Sequence, residues 1–168
     1  VAGALILFQE NQFPGQEPSG LELALVGDIP LGKGLSSSAS IELMVLNGLN
    51  LIFQKNLPPL QLTLMAQQVE HQYLKVKSGL LDQFASQFAK KDGAILIDFE
   101  TLEYKPVSLH KNFDDYYWVL VDSLVERELA SSKYSERVNE YEQAKQILAE
   151  EGLSFRQTSS ADASCIYK

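Results

Sequence analysis

The chain has 168 residues, 45% apolar and 21% charged, the profile of an ordinary globular domain with a sizeable core. Its 22 acids against 14 bases leave a net charge of −8, which argues against a nucleic-acid binder. The single cysteine, Cys165, excludes an internal disulfide framework and a cysteine-rich zinc site and suits a reducing, cytoplasmic setting; the apolar run Ala4 to Phe8 is too short to span a membrane and has no basic flank to make it a signal peptide. The chain opens on Val1, inside an apolar segment, so it is read as part of a longer protein.

In chain order, residues 1–10 fit a helix or a strand, because their periodicity does not separate the two. Residues 12–20, with two prolines and two glycines, form a loop, and the alternating run 21–27 is a predicted strand. Residues 38–53 form a mostly buried helix interrupted by Gly48. After Pro58 and Pro59, residues 60–74 are helical, with Leu62, Met65, Ala66, Val69 and Tyr73 on one face. A turn over 75–79 leads to a short helix over 80–90. Residues 94–99 and 103–109 read as a hairpin, and 116–122 as a strand. A charged helix over 133–151 is closed by Gly152. Strands and helices come in blocks, so the fold class is α+β.

The segment between the first strand and the first long helix carries the chemistry. It contains Pro30, Leu31, Gly32, Lys33, Gly34, Leu35, Ser36, Ser37, Ser38, Ala39 and Ser40. Glycines let a backbone curl so that its N–H groups face an anion. A helix that starts in the serines adds unpaired N–H groups and a positive dipole end. Serine hydroxyls can bond phosphate oxygens or ligate a metal. The plainer reading is a turn with a serine N-cap; the combination of Pro30, two glycines, Leu35 and three serines favours phosphate. Gly27 to Lys33 also mimics most of a Walker A loop, but Gly34 stands where that loop needs Ser or Thr, and Pro30 falls inside it.

Pro30-x-x-x-Gly34-Leu35-x-Ser37-Ser38-Ala39-Ser40 resembles the ATP-binding motif of the GHMP small-molecule kinases. The triple-serine form followed by Ile41 and Glu42 is most similar to the galactokinase branch. Val69-Glu70-His71-Gln72-Tyr73, then Ser78-Gly79-Leu80-Leu81-Asp82-Gln83-Phe84, resembles the next block of that branch. Ala94 to Asp98 with Thr101 to Glu103, and Val121 to Ser123 with Arg127 to Arg137, follow in the same order. The resemblance runs from Val1 to about Gly152, so residues 1–152 are a partial kinase region, one domain plus the beginning of the next, and 153–168 an unassigned tail. It implies a helix over 1–10 and a two-layer fold of the ribosomal-protein-S5 type. It also implies sugar-binding segments upstream and a glycine-rich motif downstream, so this chain alone is expected to be inactive.

The resemblance implies ATP and Mg2+ as cofactors and galactose as substrate, with no nucleic acid or membrane as partner. Pro30, Gly32, Lys33, Gly34, Leu35, Ser36, Ser37, Ser38 and Ala39 would hold the nucleotide. Asp82 would be the catalytic base on the sugar hydroxyl; the competing reading is a first-turn helix charge. Glu70, 12 residues earlier, would hold the metal together with Ser38, against the reading of a surface glutamate. Gly79 and Tyr134 match positions that contact the sugar, as Asp82 does; Tyr134 also begins an apolar face shared with Val138, Tyr141 and Leu148. Asp122 receives no role, and His71 and His110 read as structural. The alternatives are a GHMP kinase for another sugar, mevalonate or homoserine, and a non-catalytic sensor of ATP and galactose.

Overall fold

The computed structural model describes residues 1–16, 20–109, 116–117, 119–122, 124 and 134–153. It divides into two units, Val1–Ala130 and Ser131–Lys168. The first unit begins with helix α1, Ala2–Gln12, the helical outcome of the two that periodicity left open. Helix α2 spans Ser37–Ile52 and helix α3 spans Pro59–Val69. Pro59 opens α3, where the N–H it lacks would have had no helical partner.

Ala4, Leu7 and Phe8 of α1 meet Leu43, Leu46 and Leu49 of α2 and Leu62, Met65, Ala66 and Val69 of α3 in one core. The i, i+3, i+4, i+7 stripe seen in the α3 sequence is its buried face. Each large side chain so buried stabilises the fold by about 1.5–3 kcal/mol. Trimming the fully buried Leu46 to alanine would cost about 2–5 kcal/mol. Phe8, Phe13 and Phe53 close one end, with the Phe13 and Phe53 rings 5.2 Å apart at 71°. At the other end Gly3 lets α1 approach Tyr73, because a Cβ there would lie 2.8 Å from that ring.

The predicted single helix over 60–74 changes character at Glu70. Residues Glu70–Leu74 form a π-helical turn, closed by the Val76 N–H donating to the Glu70 carbonyl at 3.1 Å. His71 Nε2 at 2.9 Å and Gln67 Nε2 at 3.2 Å both bond the Ser78 carbonyl, which fixes the return of the chain. His71 is thus structural, as expected.

Helix α4, Leu81–Phe88, packs on α2 and α3. The Asn47 amide donates to Gln87 Oε1 at 2.9 Å and ties α2 to α4. Phe84 and Phe88 face Tyr104 of the hairpin, with ring centroids at 5.8 and 4.5 Å. The hairpin pairs β1, Gly93–Ile97, antiparallel with β2, Tyr104–Ser108, where residues 94–99 and 103–109 read as one. The Asp98 carboxylate shapes its turn by accepting from the Glu100 and Thr101 N–H groups at 2.9 and 3.3 Å. The α+β class is borne out.

Two predicted strands are corrected. Neither 21–27 nor 116–122 carries a ladder among the described residues. A strand needs a neighbour for its backbone groups, and among the described residues β1 and β2 pair only with each other. Leu21, Leu23 and Leu25 stay 39–41% exposed, and Val119, Leu120 and Val121 are exposed as well.

The second unit contains helix α5, Tyr134–Glu150, predicted as 133–151. Gly152 ends it at φ +72, with the Leu153 N–H returning to the Leu148 carbonyl at 2.8 Å.

Candidate functional site

The glycine–serine loop has an alternating backbone. Gly32, Gly34 and Ser36 lie at φ +71, +73 and +56, whereas Lys33 and Leu35 between them are not left-handed. This alternation turns successive N–H groups toward one side, the arrangement that binds anions. Ser36 is the N-cap of α2, yet its side chain makes no capping hydrogen bond. The plainer reading of the serine cluster therefore loses its main support, and the first-turn N–H groups are left for another acceptor. Pro30 to Gly34 are exposed, Leu35 to Ser38 are half-buried, and Ala39 is buried. The Lys33 ammonium lies 2.9 Å from Asp122 Oδ2, both about half exposed. Such a pair has little net strength, so Lys33 can leave it for a phosphate. That ion pair, then the Leu124 N–H at 2.8 Å, holds the Asp122 carboxyl below the usual carboxylate range. Sequence reasoning had given Asp122 no part in this loop.

Behind the loop lies an acidic pair. Glu70 is 6% exposed, which overturns the reading of a surface glutamate, and Glu42 of α2 is 3% exposed. Ser38, one turn before Glu42, donates its hydroxyl to Glu42 Oε1 at 3.4 Å, and Glu42 Oε2 has no hydrogen-bond partner among the described residues. Burial pushes the Glu42 carboxyl up to about 8; the Glu70 charge adds to this, while the Ser38 hydrogen bond opposes it. Sequence reasoning missed Glu42 as a site residue.

A pH dependence follows from that shift. The unfolded chain releases the Glu42 proton near 4.5 and the folded chain near 8. The folded state thus holds the extra proton between these values, and its stability falls as pH rises through that window. Glu42→Gln, neutral at every pH, should match the wild type near pH 4.5 and exceed it increasingly up to about pH 8. Each kcal/mol gained would raise Tm by about 2–4 °C in a protein of this size. Thermal melts without divalent metal at both ends of the window check it; an equal Tm difference at both ends refutes it.

Ser38, Glu42 and Glu70 offer a hydroxyl and two carboxylates, all oxygen donors of the hard type that Mg2+ selects. The unpartnered Glu42 oxygen fits such a group. No set of three or more His, Cys, Asp or Glu side chains among the described residues is placed to hold a metal by itself. A Mg2+ site of few protein ligands, completed by phosphates and waters, is compatible with that.

Asp82 stands on the exposed first turn of α4, and no hydrogen bond or ion pair among the described residues engages its carboxylate. Gly79 is exposed just before it, on the turn held by the Ser78 carbonyl. Gln83 beside Asp82 is fully buried, with both amide atoms unpartnered among the described residues. Tyr134 begins α5; its side chain lies outside the described residues, as do His110, Arg127 to Lys133 and the tail 154–168. The structure hydrogen-bonds Ser38, at the end of the loop, to Glu42, and the Glu70 charge acts on Glu42. The fold places Asp82 and Gly79 on a neighbouring element, and Tyr134 belongs to the second unit. A cavity of about 500 Å³ near Asn47, Asn50 and Gln54 contains none of these residues.

Residues 1–90 match the family model described as the GHMP kinases N terminal domain. The chain is 41% identical over 152 residues to a galactokinase of Pyrococcus furiosus, covering 90% of this chain and 41% of that protein. It is 36% identical over 162 residues to a galactokinase of Thermotoga petrophila, covering 96% of this chain and 44% of the relative. The chain thus spans well under half the length of these relatives. Among solved structures, Lactococcus lactis galactokinase complexed with galactose superposes with a TM-score of 0.75 at 32% identity, over 95% of this chain and 40% of that one. With the family model covering more than half of its residues, and the left-handed glycine–serine loop where that motif falls, the chain belongs to the GHMP kinase family.

Proposed function

We propose that the protein is a galactokinase, transferring the γ-phosphoryl group of ATP to galactose to give galactose 1-phosphate, in a cytoplasmic setting. The observation that carries this reading is the loop from Gly32 to Ser38, left-handed at every second residue and running into the uncapped start of α2. Galactokinases among the relatives of this chain support galactose as the acceptor.

The loop N–H groups and the first turn of α2 hold the ATP phosphates. Lys33 exchanges Asp122 for phosphate oxygens. Ser38 and Glu70 would hold Mg2+, which would supply charge neutralisation at the phosphates. Asp82 accepts the proton of the attacking sugar hydroxyl. Gly79 and Tyr134 position the sugar. Phosphoryl transfer asks little more of a protein than this placement and charge stabilisation.

The test is an ADP-release assay on the full-length protein with galactose, other sugars, mevalonate and homoserine. Turnover on another acceptor but not galactose moves the assignment within the family. Binding of ATP and galactose without ADP release makes the protein a sensor. In the same assay Glu70→Gln should lower turnover and raise the Mg2+ concentration for half-maximal rate. An unchanged Mg2+ requirement would mean that Glu70 is structural.

A further inference from the structure

We propose that Glu42 is a positioning residue for the divalent cation: it orients the Ser38 hydroxyl through one carboxylate oxygen and takes a hydrogen bond from cation-bound water with the other. The proposal rests on the reading of Ser38 and Glu70 as the cation's ligands.

A helix sets residues i and i+4 one above the other on one face, so Ser38 and Glu42 point the same way at the start of α2. A serine hydroxyl has one proton and two lone pairs. Giving its proton to Glu42 Oε1, as the 3.4 Å contact does, turns the lone pairs of Ser38 Oγ outward for a cation. Without that acceptor the hydroxyl would be free to donate to a phosphate oxygen instead.

The second oxygen carries the argument further. Glu42 is 97% buried, since only 3% of it is exposed, and its Oε2 has no partner among the described residues. Packing alone does not ask for an acid there, because Leu43, Val45, Leu46 and Leu49 fill the rest of the buried α2 surface. A buried polar atom left unpaired costs about 1–3 kcal/mol, more when charged.

The test measures binding directly. Mn2+ is titrated into the full-length protein with ADP present, and free Mn2+ is read by electron paramagnetic resonance. Glu42→Gln should weaken Mn2+ by about tenfold or more, the effect expected when an outer-shell partner is lost. ADP affinity in chelator should not change. Glu42→Met, which keeps the packing without an acceptor, should weaken Mn2+ equally and stands in if the glutamine variant fails to fold. Because one of its two contacts runs through Ser38, adding Glu42→Gln to Ser38→Ala should cost less than the two single losses combined. Wild-type Mn2+ affinity in the Glu42 variants, or fully additive losses with Ser38→Ala, would overturn the proposal. Glu70→Gln separates the two levels: if it weakens Mn2+ and the Glu42 variants do not, only the role of Glu42 fails. If it too leaves Mn2+ unchanged, the cation site itself is wrong.

Discussion

Asp82→Asn in the full-length protein should lower kcat by about 10²–10⁴, the span for loss of a general base, and leave ATP affinity in place. Asp82 sits on the exposed first turn of α4, unengaged by hydrogen bonds or ion pairs among the described residues, free to meet a substrate hydroxyl. The same position also suits an acid that merely complements the helix dipole. That role stabilises a helix by about 0.3–1 kcal/mol, or roughly 1–4 °C of Tm in a protein of this size. The two readings thus differ in which quantity moves. A dipole charge predicts a small loss of Tm with full turnover; a base predicts a large loss of turnover with a similar Tm. Asparagine keeps the size of the side chain and a good first-turn residue, so the change isolates the carboxylate. Steady-state kinetics beside a thermal melt decides the question, and turnover within about threefold of the wild type would exclude proton transfer at Asp82.

How much of this was readable beforehand depends on whether the signal is local. The buried stripe of Leu62, Met65, Ala66 and Val69 repeats at helical spacing, and the structure follows it. The hairpin also shows, because both strands lie within one short stretch and pair with each other. Residues 21–27 alternate just as clearly and form no ladder. Alternation marks a segment that can pair, and pairing needs a neighbour that spacing alone does not supply. The π-helical turn at Glu70 was hidden for another reason. It is fixed by Gln67 and His71 reaching the Ser78 carbonyl, and hydropathy carries no trace of such bonds. The left-handed turns at Gly32 and Gly34 were legible from the glycines themselves. Glu42 had a signal that was passed over: it is the one charged residue in the apolar run from Ile41 to Phe53, four positions after Ser38.

Replacing Gly34 should weaken ATP binding in a set order, mildest for Asn, stronger for Ala and strongest for Val. The cause is backbone conformation, not crowding. Gly34 lies at φ +73, and nothing stands within 4 Å of where a Cβ would project. An L-residue held there costs about 1–2 kcal/mol, less for asparagine and more for a β-branched residue. If the loop keeps its shape, that strain stays in the protein as lost stability. If it relaxes, the N–H groups turn away from the phosphates and the loss appears as ATP affinity, about tenfold for each 1.4 kcal/mol. Titration with a non-hydrolysable ATP analogue reads the second term and a thermal melt reads the first. Galactose binding, on residues outside the loop, should hold. Gly48 in α2 supplies the control: it has the same open space at Cβ but no left-handed φ. Gly48→Ala should therefore stabilise the helix by roughly 0.5–1 kcal/mol with ATP affinity unchanged. Wild-type ATP affinity and stability in Gly34→Val would refute the account, as would equal effects of alanine at positions 34 and 48. A conformational requirement at Gly34 demands that the same added methyl act with opposite sign at the two sites.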